Sequence, residues 1–331
     1  MATLYVAEQG AVLTKTDGRL LVRSGRKILR DIPAIRVDQI VLFGNVHLTT
    51  PAVAFVLNEG IDVAFLSSHG SYRGRLQPEW TKDAKLRQRQ YSVFLDPRRR
   101  LVLARQLVHG KLHNMASLCR RQRSDKTTGI VKATVQYLAR LDKKVTCATD
   151  LASLRGWEGA ATAAFYQAFS TLLRPKLGFQ GRNRRPPRDP VNALLSLGYT
   201  LLYNTFYATI NVVGFDPYLG FFHEAKRGHA ALASDLMEEW RPLIVDSLVL
   251  SMINHRELGP EQFLGLKEQI RLTKNGLEHF LARYDARLAS RIRHPRLERR
   301  MSYRRCIELQ TRHLADVLRN PERTYHPFLT Q

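Results

Sequence analysis

GFFHEAKRGHAALASDLMEEWRPLIVD, residues 220–246, is the stretch from which the fold and the chemistry of this chain read outward. Gly220, Phe221 and Phe222 suit a tight approach of the chain into a loop, with His223 at its edge. Beyond it Leu232, Leu236 and Trp240 recur every four residues, a spacing that predicts a helix with one buried face. Asp235 and Glu238 stand three apart, so they are neighbours on another face. His223 lies just before that helix and can fold back beside the acidic pair. One imidazole and two carboxylates, without cysteine, form a ligand set suited to Mn²⁺ or Mg²⁺. The competing reading is a solvated acidic face and a structural histidine, and this window alone leaves both open. Pro242 predicts a kink that turns Asp246 away from the acidic pair.

The whole chain narrows the field. With 331 residues it can build two domains with cores of their own. Its apolar fraction of 44% is that of an ordinary folded protein. No run of about 20 apolar residues exists to span a membrane. The start, MATLYVAEQG, lacks the basic and apolar regions of a signal peptide, so a cytoplasmic location is expected. Cys119, Cys147 and Cys306 fit neither zinc spacing nor a disulfide framework. Lys and Arg number 52 against 29 Asp and Glu, a net charge of +23. A chain this basic calls for a polyanion, and nucleic acid is the expected one. An anionic membrane suits it less, because no basic amphipathic segment stands apart.

The expected fold class is α+β in two parts. Residues 1–80 read as a small β-rich domain. Strands are predicted at 3–7, 11–14, 19–23, 27–29, 39–43, 62–67 and 71–76, and Asp17-Gly18 is a hairpin turn. One helix starts at Thr50-Pro51, with Thr50 as cap, and ends at Gly60. This domain gathers no His, Asp or Glu constellation, so it is assigned to dimerisation and assembly. Residues 81–97 read as a linker passing into helix. From Pro97 the period becomes 3.6, with Leu101, Ala104, Val108, Leu112 and Met115 on one stripe. Everything to residue 331 then reads as helix or loop, including helices near 131–141, 191–210, 260–282 and 303–318.

Two further windows carry chemistry-bearing residues. In DLASLRGWEGAATAAFYQAFSTLL, residues 150–173, Glu158 sits between Gly156 and Gly159. Each helical glycine costs about 1 kcal/mol against alanine. Either a ligand or a close helix–helix contact would justify the pair. GRNRRPPRDP, residues 181–190, is a basic loop stiffened by prolines. Its Arg182, Arg184, Arg185 and Arg188 form a phosphate-seeking cluster, since arginine forks match phosphate oxygens. A basic series from Arg287 to Arg305 could line a duplex.

The windows LRGWEGAATAAFY, GRNRRPPRDPVNALLSLGYTLLY and GFFHEAKRGHAALASDLMEEWRPLIVD, in this order, resemble the CRISPR-associated integrase family Cas-one. LFGNVHLTT and GIDVAFLSSHGSYRGRL extend the likeness over almost the whole chain. The resemblance implies a β-rich domain followed by an all-α catalytic, DNA-binding domain, here 98–331. It implies Glu158, His223 and Glu238 as metal ligands and catalytic groups, with Asp235 a possible additional acid and Mg²⁺ or Mn²⁺ as the ion. Arg182, Arg184, Arg185, Arg188, Lys226 and Arg241 are the expected DNA contacts. The partners implied are double-stranded DNA (spacer precursor and CRISPR repeat), a second copy of the chain, and the small protein Cas-two. The implied activity is endonuclease and integrase chemistry, in which a 3′-hydroxyl attacks a phosphodiester. The alternatives are a metal-dependent nuclease on branched DNA or RNA, and a non-catalytic nucleic-acid-binding protein. A zinc hydrolase is disfavoured, because H-E-x-x-H is missing.

Overall fold

The computed structural model describes residues 2–79, 83–122, 128–175, 177–183, 186–266 and 269–330. Contacts group the chain into two units, Met1–Trp80 with Leu272–Asp285, and Thr81–Arg271 with Ala286–Gln331.

The first unit is built from two four-stranded sheets. In one, β1 (Ala2–Val6), β5 (Val37–Phe43) and β7 (Asp62–Leu66) run parallel, and β8 (Tyr72–Leu76) closes the edge antiparallel, in the order β1-β5-β7-β8. Strands β5 and β7 are nearly continuous apolar runs, as central parallel strands require. In the other, β2 (Val12–Thr16), β3 (Arg19–Ser24) and β4 (Lys27–Pro33) form an antiparallel meander, with β6 (His47–Leu48) parallel to β2. Thr16 pairs with Arg19 across the predicted Asp17-Gly18 turn, and Asp17 takes the left-handed conformation, φ 49°. Leu4, Val6, Leu13, Val22, Ile40 and Val63 share one core. Helix α1 (Thr50–Asn58) is capped by Thr49, one residue before the expected Thr50, with Pro51 in its first turn. The segment 272–285, far off in sequence, also belongs to this unit.

The second unit holds α2 (Ala84–Leu95), α3 (Pro97–Gln122), α4 (Thr128–Thr146), α5 (Leu151–Leu172) and α6 (Pro190–Val213). The predicted stripe of α3 is buried from Leu101 to Met115. Asp150 caps α5 and Asp189 caps α6, each accepting a backbone N–H at 2.8 Å. Helix α6 is apolar on almost every side and buried accordingly, and Gly214 ends it at φ 105°. The central stretch gives α7 (Ala231–Met237), a 3₁₀ turn (Glu238–Trp240), a π turn (Pro242–Asp246) and α8 (Ser247–Asn254). Pro242 therefore widens the helix by a π turn. Leu232, Leu236 and Trp240 are buried as expected.

The C-terminal region is mainly helical but not all-α. β9 (Phe263–Leu266) pairs with β10 (Gln269–Leu272), and β11 (Arg291–Arg293) with β12 (Arg300–Ser302). The helix expected at 260–282 is replaced by β9, β10 and α9 (Lys274–Ala289). FLGL and QIRL are too short for period 2 to be told from a helix, and tertiary pairing decides between them. Helix α10 (Tyr303–Arg319) follows, and then an extended strap, residues 325–330, with Tyr325 and Phe328 buried. Among the described residues no helix is long and apolar enough to cross a membrane.

Candidate functional site

The loop holding His223 is clasped through its backbone. Asp235, fully buried, accepts the N–H groups of Phe221, Phe222 at 2.9 Å and His223 at 2.8 Å. Arg100 of α3 donates to the carbonyls of Phe221 at 2.9 Å and His223 at 3.3 Å. Arg155 of α5 donates to the carbonyl of Phe222. A Cβ on Gly220 would stand 2.6 Å from Asp235 Oδ2 and 2.8 Å from the Ala231 carbonyl carbon, so glycine is required there.

Asp235 also sets the imidazole. Its Oδ1 lies 2.6 Å from His223 Nδ1. With Nδ1–H donating to that carboxylate, the neutral ring carries its lone pair on Nε2, the arrangement that metal-ligating histidines use. Nε2 faces Glu238, 3.8 Å from Oε1. Burial opposes protonation of this ring, but Asp235 and Glu238 outweigh it and raise the His223 pKa. Both Asp235 oxygens are thus committed to the loop and to His223. The candidate extra acid is an orienting group.

Glu158 and Glu238 come from different elements and meet at one cation. Lys111 of α3 donates to Glu158 Oε1 and lies 2.6 Å from Glu238 Oε2. That second contact is a close ion pair, and among the described residues Lys111 is the partner that Oε2 has. Arg241 Nε stands 3.1 Å from Glu238 Oε1. Burial would raise the Glu238 pKa, yet the charges of Arg241, Lys111 and His223 hold it down at about 2. The same acids keep the Lys111 pKa raised against the larger pull of its own burial. A Cβ on Gly156 or Gly159 would meet nothing within 4 Å. Close helix packing therefore does not account for these glycines, and they leave the face beside Glu158 open.

Among the described residues no three His, Cys, Asp or Glu groups are gathered as a ready-made ion site, because Lys111 stands between the two glutamates. The donor set nonetheless fits a hard divalent ion: two carboxylates drawn together on one cation, and an imidazole oriented from behind.

The expected DNA contacts divide. Arg182 is turned inward, bonding the Asn183 carbonyl, Asn192 Oδ1 at 2.9 Å and Ser196 Oγ at 3.1 Å, and it lies over the Tyr199 ring. It braces the loop onto α6. Arg184 and Arg185 lie outside the described residues. Arg188 is exposed. The Lys226 side chain is 72% exposed and stands 3.8 Å from Glu224. Arg241 is committed to Glu238 and to the Tyr199 ring, 4.7 Å from its centroid. Arg287 donates to the Leu243 carbonyl and so leaves the supposed duplex-lining series. Lys111 was missed by sequence reasoning. Its signal was there: it stands four residues from both Leu107 and Met115, on the buried stripe of α3.

The family model "CRISPR associated protein Cas1" matches residues 4–286. The chain belongs to the Cas1 family. It is 37% identical to "CRISPR-associated endonuclease Cas1 3" of Thermus thermophilus, over 99% of this chain and 97% of that protein. It is 37% identical to a Cas4/Cas1 fusion of Rhodospirillum rubrum over 94% of this chain, which spans 55% of the fusion. Among solved structures, a Cas1 protein from Thermotoga maritima superposes with TM-score 0.84 at 25% identity, covering 98% of this chain and 99% of that one. A Cas6-RT-Cas1–Cas2 complex chain gives TM-score 0.86 at 27% identity, over 99% of this chain and 36% of its own. A casposase bound to integration product shares the fold, with TM-score 0.85 at 22% identity. The two-part α+β architecture is that of Cas1.

Proposed function

We propose that this Cas1 chain is a divalent-metal-dependent DNA endonuclease and integrase that inserts spacer DNA into a CRISPR array. The observation that carries the reading is the meeting of Glu158 and Glu238 at the buried Lys111 ammonium, with His223 Nε2 3.8 Å from Glu238. The endonuclease names of the relatives support it.

Glu158, Glu238 and His223 Nε2 would hold Mg²⁺ or Mn²⁺. When bound, such an ion supplies charge that activates a 3′-hydroxyl and neutralises phosphate oxygens. The chain's own groups do the rest. Asp235 keeps the His223 proton on Nδ1 and the ring in place. Arg100 and Arg155 hold the loop rigid through its carbonyls. The open face at Gly156 and Gly159 lets a DNA backbone approach Glu158. Attack of a 3′-hydroxyl forms one P–O bond and breaks another, and the leaving 3′-oxygen takes up a proton, so no nucleotide is consumed. Water in place of the hydroxyl gives cleavage. Exposed Arg188 and Lys226 supply phosphate contacts. The chain works in the cytoplasm as a homodimer with the small Cas2 protein, the partner that the related complexes name. A monomer in sedimentation, with and without that partner, would argue against the assembly.

The test is strand transfer and cleavage of DNA. Chelator should abolish both, and Mn²⁺ or Mg²⁺ should restore them. Glu158→Ala, His223→Ala and Glu238→Ala should each remove activity while DNA affinity stays. Asp235→Asn should cost about 10- to 100-fold, as loss of an orienting partner does. Full activity in excess chelator would sink the metal reading.

A further inference from the structure

Lys111 occupies an unusual place. Its side chain is 4% exposed and its ammonium sits between two glutamates that come from α5 and from the 3₁₀ turn. A buried lysine persists only where acids compensate it, and the buried Glu238 with the half-buried Glu158 beside it is favoured only with a cation between them. A divalent ion held by the same carboxylates would meet that ammonium as a like charge. One of the two cations has to yield.

The neighbourhood offers the ammonium a second seat. A cavity of about 10 Å³, lined in part by Lys111, Thr162, Tyr166, Tyr199, Arg241 and Asp246, adjoins the site. That is room for one water-sized group, the size of an ammonium head. Asp246 Oδ1 accepts the Tyr199 hydroxyl, whereas its buried Oδ2 has no hydrogen-bond donor among the described residues. The lysine stem has four rotatable carbons and can carry the charge between two neighbouring positions.

We propose that Lys111 is an exchangeable counter-cation, which holds Glu158 and Glu238 together without metal and withdraws against Asp246 when a divalent ion binds. This rests on the reading of Glu158, His223 and Glu238 as metal ligands. Lys111 then has two consequences. It keeps the carboxylates in place before the ion arrives. It also sets a threshold, because every ion bound must displace it.

Mn²⁺ alone is the probe, titrated calorimetrically into the full chain near neutral pH, beside thermal melts with chelator or Mn²⁺. Lys111→Met should bind Mn²⁺ about tenfold or more tightly than the wild type. Its melting temperature should fall in chelator and recover in Mn²⁺. Should this variant fold only in Mn²⁺, the exchange is supported; should it fail to fold even in saturating Mn²⁺, the exchange is overturned. Asp246→Asn should weaken Mn²⁺ binding when Lys111 is present and leave it unchanged beside Lys111→Met, a cycle that isolates the pair. Equal effects in both backgrounds overturn the second seat. Wild-type binding that Lys111→Met fails to strengthen removes the exchange and leaves the metal reading standing. If neither chain binds Mn²⁺, the metal reading goes as well.

Discussion

Asp246 is a carboxylate enclosed within the helical unit, and its environment predicts how the protein responds to pH. Burial pushes its pKa up to about 6, against the Tyr199 hydrogen bond and the charges of Arg241, Lys111 and Arg182. The Tyr166 hydroxyl stands 3.5 Å away. An unfolded aspartate titrates near 3.8, so the folded chain holds this proton more tightly. The resulting stability is fully present below about pH 4 and is lost as pH rises through about 6. Asp246→Asn keeps the shape and cannot ionise. It should therefore raise the melting temperature near pH 8, by a free energy of at most about 3 kcal/mol, and match the wild type near pH 4. Melts at the two pH values check this, and an unchanged value near pH 8 would refute it. The kink at Pro242 led the sequence to be read with Asp246 turned from the acidic pair, but its tyrosine partners on α5 and α6 lie 80 and 47 residues away.

The strap at 325–330 is the element whose role is least visible in the chain. It runs along α3 and the 3₁₀ turn that carries Glu238. Phe328 stacks on Trp240 with centroids 4.4 Å apart. Phe328 N and Tyr325 OH donate to the Glu239 carboxylate at 2.7 and 2.8 Å. Asn114 Nδ2 bridges the carbonyls of Glu239 and Phe328, each at 2.8 Å. Burial raises the Glu239 pKa to about 7 in spite of these donors. The strap thus backs the turn from behind. Phe328→Ala should cost about 3 to 5 kcal/mol, the usual price of a buried aromatic. Gly110→Ala tests the same element from α3. Alanine favours an isolated helix by about 1 kcal/mol. Its Cβ here would lie 2.7 Å from Pro327 Cβ and 3.0 Å from Glu239 Oε2, so packing wins and the variant should be less stable. Urea unfolding followed by circular dichroism measures both.

At the scale of the molecule the net charge of +23 is the field on which the proposed binding to DNA would draw. A contact that neutralises a phosphate contributes about 0.9 to the slope of log affinity against log salt. Arg188 and Lys226 are exposed, so Arg188→Ala with Lys226→Ala should flatten that slope by roughly 2 and weaken all sequences alike. Arg182 faces α6, so Arg182→Ala should destabilise the loop and leave the slope as it is. Anisotropy titrations over a salt series separate the two; a flatter slope for Arg182→Ala would mean that its guanidinium turns outward on DNA.

Composition, period and turn residues by themselves determined the β-rich start, the long buried stripe of α3 and the burial of Leu232, Leu236 and Trp240. These are local properties: side-chain periodicity and the first turn of a helix depend on near neighbours. The nearness of Glu158, His223 and Glu238 was expected from resemblance, and their geometry belongs to the fold. Only tertiary structure decided that Lys111 lies between the glutamates, that Asp235 orients His223, that Arg182 and Arg241 face inward, and that 263–266 and 269–272 form strands. Each of these depends on which distant segment arrives beside the residue, and burial then converts charge into either a partner or a cost.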